Sequence, residues 1–582
     1  MANALPTLSP SPLPQPFAVN CFSPPAPAPA PAPAAYLSAS KKLSCKSRIR
    51  AQSRHSPEAT DIIIRQDVNT PRGGECGDII SETGASTWAP AASDSFNLPP
   101  LVDALRTAAK RDVASFHFPG HNRGLAAPPS LARVLGTSPF HHDLPELPEL
   151  DNLFSPQGPI LDAQRLAAEL FGASDTWFLV GGTTCGIHAA IMATCSPGDT
   201  LILPRNSHLS AISAMVLSGA IPKYIIPEYS HEWDFAGGID AGQVQSAFHE
   251  LASEGRKAAA VLLTSPTYQG ICSDIVEISS LCHSVGIPLI VDEAHGAHLG
   301  FHCQLPRSAL QQGADIVVQS THKVLFSLTQ SSMLHVSGNL VDQERIHRSL
   351  QTLQTTSPSS LLLASLDAAR AQLSGMRETN FDELIRQSEK AKMLIKEIGG
   401  VSVLDLSSFS KGCSMDPFRL TLGFWKLGLS GYEADDFLDG EHGIVCEVVG
   451  SRFMTFAISL GICVEHIHRL VSGIKHLREV MMREEIEHRS NDSVFVPFSD
   501  ISMSMSPREA FFASKRTVAL KDSIGKVSGE MICSYPPGIP VVWPGEVVSE
   551  RALDYLLLAQ RHGADITGAA DPTLARITIC VA

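Results

Sequence analysis

A single lysine in the stretch ADIVVQSTHKVLFSL, residues 314–328, directly follows an apolar run that reads as a buried strand. Burying a long cationic side chain is costly, so Lys323 has two explanations. It lies on a surface loop, or its amine is partly desolvated and forms a Schiff base, for which a lowered pKa suits it. The motifs upstream favour the second explanation.

A glycine- and hydroxyl-rich turn lies between an apparent strand, TWFLV, and an apolar helix. In VGGTTCGIHAAI this turn contains Gly181, Gly182, Thr183 and Thr184. Hydroxyl groups and free backbone N–H groups at a helix N-terminus bind phosphate well. The turn has neither GxGxxG nor a Walker lysine, so a dinucleotide or a nucleoside triphosphate fits poorly. An ordinary strand-to-helix connection remains the alternative to a phosphate site.

An acidic cluster ends another apparent strand, in PLIVDEAHGAH at residues 288–298, with Asp292, Glu293 and His295. Such an acid could bind a metal, act as a base, pair with a protonated ring nitrogen, or simply accept hydrogen bonds in a turn. A phosphate site before it and an isolated lysine after it favour the ring nitrogen. An acid there keeps pyridoxal phosphate (PLP) a good electron acceptor.

Strand-like apolar runs alternate with amphipathic segments between about residues 160 and 340. The runs are TWFLV, DTLILP, AAAVLLT, PLIVDEA, ADIVVQ and SSMLHV. Strands of this length separated by helices indicate parallel βαβ units. The segment DIVEISSLCHSVG predicts one of these helices, starting near Asp274 and ending near Gly286. An α/β fold with a mainly parallel sheet follows.

The chain of 582 residues is too long for one core. We predict a transit peptide at 1–57, a linker at 58–95, a large domain at 96–375, a small α/β domain at 376–486 and a C-terminal domain at 494–582. The polar patch EHRSNDS separates the last two domains, and the prolines of SYPPGIPVVWPGE belong to loops and sheet edges. No run of about 18 apolar residues predicts a membrane span.

The first 57 residues are rich in Ala, Pro and Ser and carry six basic residues, with no acid before Glu58. This composition predicts a plastid transit peptide; a mitochondrial signal or a disordered proline-rich tail are the alternatives. Without those six charges, the formal net charge of −14 becomes about −20, which argues against nucleic acid as a partner. The thirteen cysteines show no zinc-ligand spacing, so we expect reduced thiols and no metal.

The order GGTT, PRNSH, SPTYQG, DEAHGAH, STHK resembles the large domain of fold type I PLP enzymes, and among them the ornithine/lysine/arginine decarboxylases. The resemblance extends over most of residues 95–580 through FHFPGHNRG, DLPELPELDNL, TSPSSLLLASLD, MSPREAFFASKRTVAL and SYPPGIPVVWPGE. The motif DEAHGAHLGFH and the compact chain look like the arginine-decarboxylase-like branch. The resemblance implies a fold type I large domain with smaller α+β domains after it.

Site residues follow from this resemblance. It implies that Lys323 holds PLP covalently, that Asp292 pairs with the pyridine nitrogen, that His208 stacks on the ring, and that Ala294 leaves room for the opposite face. Lys323 or His295 then supplies the proton that replaces CO₂. The expected phosphate ligands are Thr183, Thr184, Ser320, His322 and, in the neighbouring subunit of a homodimer, Ser357.

The expected reaction is decarboxylation of arginine, lysine or ornithine to the amine. Carboxylates that could meet the basic side chain, or could merely be solvated, are Glu146, Glu149, Asp151, Glu447 and Glu546. The family's usual PGHK reads PGHNRG here, with Asn122 and Arg123, which leaves substrate preference open.

Two other functions remain open. One is a different fold type I reaction, transamination or lyase chemistry, for which Arg370 or Arg452 could bind the substrate carboxylate. The other is a non-catalytic homologue. The intact Lys323, Asp292 and GGTT argue against this alternative.

Overall fold

The computed structural model describes residues 99–376, 378–409, 412–483, 497–498, 500–535 and 538–581. The predicted transit peptide and linker lie outside these ranges and stay predictions, as do the domain boundaries. No helix within them combines the length and apolar character needed to cross a bilayer. The α-helices are α1 Pro100–Lys110, α2 Pro129–Leu135, α3 Ser138–His142, α4 Pro159–Phe171, α5 Gly182–Thr194, α6 Leu209–Ser218, α7 Ala241–Ser253, α8 Ile275–Ser284, α9 Thr321–Val324, α10 Gln343–Leu353, α11 Ser360–Ser374, α12 Glu378–Lys396, α13 Gly431–His442, α14 Val464–Arg483, α15 Pro507–Phe512 and α16 Glu550–His562.

The strands of the sheets described below are labelled in chain order, and some two-residue strands outside these sheets are left unlabelled. They are β1 Asp175–Leu179, β2 Thr200–Pro204, β3 Ile221–Ile225, β4 Ala258–Thr264, β5 Leu289–Asp292, β6 Ile316–Gln319, β7 Ser332–Val336, β8 Ser402–Val403, β9 Arg419–Gly423, β10 Val448–Val449, β11 Phe453–Ala457, β12 Lys515–Ala519, β13 Ile532–Tyr535, β14 Ile539–Val542, β15 Asp565–Thr567 and β16 Arg576–Cys580.

The large domain is built on a seven-stranded sheet in the order β1-β7-β6-β5-β4-β2-β3. Strands β3, β2, β4, β5 and β6 pair in parallel, whereas β7 runs antiparallel to both β1 and β6. The predicted α/β class with a mainly parallel sheet is confirmed. The expectation that SSMLHV belongs to a parallel unit is wrong, because the short link from β6 to β7 leaves no room for a crossover helix.

The inner strands of this sheet are apolar along their whole length because both faces are covered. All residues of β2, β5 and β6 are buried. Helix α5 packs so closely on the sheet that a Cβ at Gly186 would lie 2.4 Å from Cγ1 of Val318. The predicted helix at DIVEISSLCHSVG is α8, and the Asp274 side chain caps it by accepting from the Glu277 N–H at 3.2 Å.

The parallel strands bring their carboxyl ends to one edge of the sheet, where α/β proteins usually bind ligands. The turns that follow β1, β2, β4, β5 and β6 therefore converge there. These turns contain the GGTT, PRNSH, SPTYQG, DEAHGAH and STHK motifs.

Two smaller β structures follow the large domain. An antiparallel sheet, β8-β9-β11-β10, packs with α12, α13 and α14. The C-terminal part pairs β12 with β16 and forms the sheet β14-β13-β15, on which α16 packs. Pro540 lies in β14, an edge strand, as the sequence predicted.

Candidate active site

Lys323 lies in α9, a single helical turn that begins directly after β6. Its Nζ is 3.3 Å from Nε2 of His295. The residue is exposed, yet the protein around its amine displaces enough water to lower the pKa of that amine. Arg419 lowers that pKa further, whereas the negative charges of Asp292 and Glu447 oppose the shift. This is the environment of a lysine suited to Schiff-base chemistry.

Asp292 is the last residue of β5 and is 6% exposed. Burial raises its pKa to about 6, against the lowering effects of the Lys323 charge and of a hydrogen bond from the backbone N–H of Ala294 to Oδ1 at 3.2 Å. A buried carboxylate of this kind gains stability from a further cationic partner, such as a protonated ring nitrogen. Ala294 itself is small and buried.

His208 is the N-cap of α6, where its Nδ1 accepts from the backbone N–H of Ser210 at 3.3 Å. Burial lowers its pKa to about 4, and the charges of Lys323 and His188 act in the same direction. The His208 ring is therefore neutral, and it lies close enough to Lys323 for the lysine charge to affect its pKa. A neutral planar ring at this position suits stacking on a planar cofactor.

A cluster of hydroxyls faces the N-terminus of α5. Thr183 Oγ1 lies 2.5 Å from Ser320 Oγ and 3.1 Å from Ser332 Oγ. Gly182 starts the helix with φ of +76°, a conformation that residues with side chains rarely adopt. Thr184 is exposed on the same turn. Hydroxyls and N–H groups arranged in this way fit a phosphate.

Two other expected phosphate ligands behave differently. His322 Nδ1 donates to the backbone carbonyl of Ser331 at 2.8 Å, which orients its ring beside the hydroxyl cluster. Ser357 is exposed, and its own N–H donates to Thr355 Oγ1 at 3.1 Å. Its expected role concerns a neighbouring subunit and stays a prediction.

His295 is buried against Tyr268, with ring centroids 4.5 Å apart. Burial, together with the positive charges of Lys323 and Arg419, holds its pKa well below the ordinary value. The ring is therefore neutral and can accept a hydrogen bond from the Lys323 amine at Nε2. Arg419 Nη2 donates to the His295 carbonyl at 3.3 Å and steadies this turn.

Sequence reasoning assigned no role to Tyr268 or Arg419. Tyr268 lies inside the quoted motif SPTYQG, and Lys323 Nζ is 5.9 Å from its ring centroid. Arg419 is a charged residue at the start of the apolar strand RLTLG, and it is 4% exposed. A charged residue within an apolar strand is rarely buried without a partner, so the sequence RLTLG could have indicated a functional role for Arg419.

Among the five acids considered for substrate binding, Glu447 is the one whose charge acts on Lys323. Glu546 instead forms a buried ion pair with Arg205 at 2.9 Å. Asp151 accepts backbone N–H groups at the start of α4, including that of Gly158 at 2.7 Å. The other two are also engaged elsewhere: Glu146 accepts from the Leu153 N–H at 2.7 Å, and Glu149 pairs with Arg111.

Three arginines that the sequence singled out also make contacts away from Lys323. Two were considered as carboxylate-binding residues of a transaminase, and the third belongs to the PGHNRG motif. Arg370 pairs with the buried Asp367 at 2.6 Å, and Arg452 lies over the Trp425 ring. Arg123 donates to three carbonyls at the C-terminal end of α1, the shortest at 3.0 Å. Its role is therefore to cap a helix.

A lysine, a buried aspartate and a hydroxyl-lined helix N-terminus at the carboxyl edge of a mainly parallel sheet define the fold type I class of α/β enzymes. The family model of the Orn/Lys/Arg decarboxylase major domain matches residues 99–411, and that of the C-terminal domain matches 489–571. The chain therefore belongs to the Orn/Lys/Arg decarboxylase family, whose members are PLP-type decarboxylases of basic amino acids.

Known relatives agree with this assignment. Arginine decarboxylases of Bacillus subtilis and Halalkalibacterium halodurans are 36% and 37% identical to the chain over 482 residues, which cover 82% of it and 97% of each relative. The crystal structure of the Francisella novicida lysine decarboxylase matches with a TM-score of 0.72 at 22% identity, covering 83% of this chain and 81% of that one. This structural match supports the fold.

Proposed function

We propose that this protein removes the α-carboxylate of L-arginine as CO₂, using PLP held by Lys323. The proposal depends on one observation: the Lys323 amine, the Asp292 carboxylate and the Thr183 hydroxyl cluster share one edge of the sheet. The arginine decarboxylases among the relatives support arginine over lysine and ornithine.

PLP, when bound, withdraws electrons from the α-carbon so that the carboxylate can leave. Asp292 would hold a proton on the ring nitrogen, and Thr183, Thr184, Ser320 and His322 would bind the phosphate. The neutral ring of His208 would cover one face of the cofactor.

The proton that replaces CO₂ comes from Lys323 or His295. Their nitrogens lie 3.3 Å apart, so Nζ can donate a hydrogen bond to Nε2. Glu447 would accept hydrogen bonds from the substrate guanidinium, a planar group that suits bidentate binding to a carboxylate.

The direct test is to incubate purified protein and PLP with arginine, lysine or ornithine, and to measure CO₂ and amine. We expect CO₂ and amine in equal amounts, with arginine preferred, and complete loss of both in Lys323→Ala. Borohydride should label Lys323 in the wild type. A keto acid without CO₂ would indicate transamination, and PLP binding without any product would indicate a non-catalytic homologue.

The proposal includes a homodimer. Phe116, Phe118 and Leu125 in the segment after α1 are 98%, 84% and 87% exposed, and large apolar side chains exposed within one segment favour a protein contact. Sedimentation should give at least twice the chain mass, and Phe116→Asp should shift it toward the monomer. A fully active monomer would contradict this part.

The proposal also includes delivery to plastids by residues 1–57, where the amine product would feed polyamine synthesis. The composition of this segment is the support. Fusion of residues 1–57 to a fluorescent protein should direct it to plastids in plant cells, and mitochondrial or cytosolic signal would reject the plastid.

A further inference from the structure

A cavity of about 290 Å³ lies behind the candidate active site. Its wall includes His208 and Tyr268 from the large domain, Trp425 and Arg452 from the region of the four-stranded sheet, and Tyr555 from α16. Three parts of the chain therefore enclose it, which is a common location for small-molecule sites.

The cavity is distinct from the site around the reactive lysine. Lys323, Asp292, Thr183 and Glu447 are not part of its wall. His208 and Tyr268 line the cavity and also lie near Lys323. Whatever binds in the cavity therefore needs its own recognition groups.

One such group is the carboxylate of Asp234. Its Oδ1 accepts from the Tyr229 hydroxyl, and its Oδ2 accepts from the Ser451 hydroxyl. Burial raises its pKa, and the charges of Arg452 and His562, which both line the cavity, partly oppose this shift. Asp234 also has a φ of +58°, a strained conformation that often accompanies a functional position.

The second group is the guanidinium of Arg452. Its Cζ lies 5.2 Å from the ring centroid of Trp425, and its Nε is buried without a hydrogen-bond partner in the part of the chain that the structure describes. Its charge lowers the pKa of Asp234, yet the two do not form an ion pair. A carboxylate and a guanidinium thus face one cavity, and the guanidinium has a nitrogen that no described residue pairs with.

Aromatic side chains form much of the remaining wall. Phe235 and Phe453 pack edge to face, with ring centroids 5.0 Å apart, and Tyr432 and Tyr555 lie near Asp234. Aromatic faces next to a carboxylate favour an ammonium group, and apolar faces favour an apolar side chain.

We propose that this cavity binds a small α-amino acid with an apolar side chain, as a site separate from the decarboxylation site. The ammonium meets Asp234, the carboxylate meets Arg452, and the side chain packs against Phe235 and Phe453. A basic amino acid fits less well, because the Phe235 and Phe453 rings, against which its side chain would pack, carry no carboxylate for its second cation.

The test is calorimetric titration of the PLP-loaded protein with L-phenylalanine. Phenethylamine lacks the carboxylate and 3-phenylpropanoate lacks the ammonium, so each should bind at least about tenfold more weakly than L-phenylalanine. This ligand series uses the wild-type protein and needs no substitution.

Two variants locate the site. Asp234→Asn and Arg452→Gln should each weaken L-phenylalanine binding about tenfold. The control variants Glu232→Gln and Arg469→Gln change an exposed acid and an exposed arginine in the same way, and they should leave the binding unchanged. Thermal unfolding and the PLP spectrum establish that each variant is folded.

Three results would overturn the proposal. The first is no binding at about 10 mM L-phenylalanine, weaker than two charge-assisted contacts predict. The second is equal binding of all three compounds. The third is binding that Asp234→Asn leaves intact but Glu447→Gln abolishes, which would place the amino acid at Lys323. None of these results bears on whether the protein decarboxylates arginine.

Discussion

The buried ion pair between Arg205 and Glu546 joins the large domain to the C-terminal domain, and its removal should destabilise the protein strongly. Arg205 Nε and Nη2 donate to the two carboxylate oxygens at 2.9 Å each. The same guanidinium donates to the carbonyls of Pro540 at 2.7 Å and Val541 at 3.0 Å, and the Trp543 N–H donates to Glu546 at 2.8 Å. No other charge balances this guanidinium within these contacts.

The size of the effect follows from burial. The Arg205 and Glu546 side chains are 0% and 5% exposed, so the value for exposed pairs, under about 1 kcal/mol, does not apply. Removing one partner from a buried pair typically costs about 3–5 kcal/mol, because the other charge remains buried and unpaired. Glu546→Gln keeps the volume and one acceptor, so we expect a loss of about 3 kcal/mol in the free energy of unfolding.

Urea unfolding followed by tryptophan fluorescence measures this loss, since the buried Trp543 ring lies 4.4 Å from Arg205 Cζ. The exposed matched change Asp554→Asn on α16 should alter stability by less than about 0.5 kcal/mol. If the C-terminal domain unfolds at a lower urea concentration than the large domain, the loss of unfolding free energy should appear in the first of two unfolding transitions.

A double variant, Arg205→Met with Glu546→Leu, removes both charges together. It should recover part of the lost stability, because neither charge is then left unpaired, although the Val541 carbonyl and the Trp543 N–H lose their partners. A loss below about 1 kcal/mol in Glu546→Gln, or a double variant no better than the single one, would refute the reasoning.

Three further predictions concern the site and its surroundings. Asp292→Asn should lower kcat for arginine about 10–100-fold with PLP still bound, since a charge-assisted contact contributes about 1.5–3 kcal/mol; an unchanged kcat would exclude the assigned role. Glu447→Gln should raise KM for arginine about 10–100-fold, whereas the exposed Glu441→Gln should not. Burial raises the pKa of Glu293 from 4.5 to about 8, so the folded state binds more protons between these values and stability contributed by this group falls as pH rises from 4.5 to 8. Glu293→Gln should flatten that decline in denaturation measured at pH 5 and pH 8, and an unchanged slope would contradict the shift.

Much of the large domain was predictable from sequence because its signals are local. Short stretches of consecutive residues were enough to predict the apolar strands β1, β2, β4, β5 and β6 and the capped helix α8. The direction of β7 could not be predicted in this way, because it depends on the length of the loop between β6 and β7 rather than on the composition of the strand.

The amino-acid sequence by itself determined that Lys323, Asp292 and the GGTT turn meet, because parallel strands end at one edge and each residue follows a strand. Only the tertiary structure decided which of the five candidate substrate-binding acids acts electrostatically on the lysine: Glu447 does, whereas Glu546 pairs with Arg205. The cavity between Asp234 and Arg452 likewise emerges only in three dimensions. The physical reason is that strand ends are specified by neighbouring residues, whereas the partner of a charge is specified by segments that are distant in the chain and are brought together by packing.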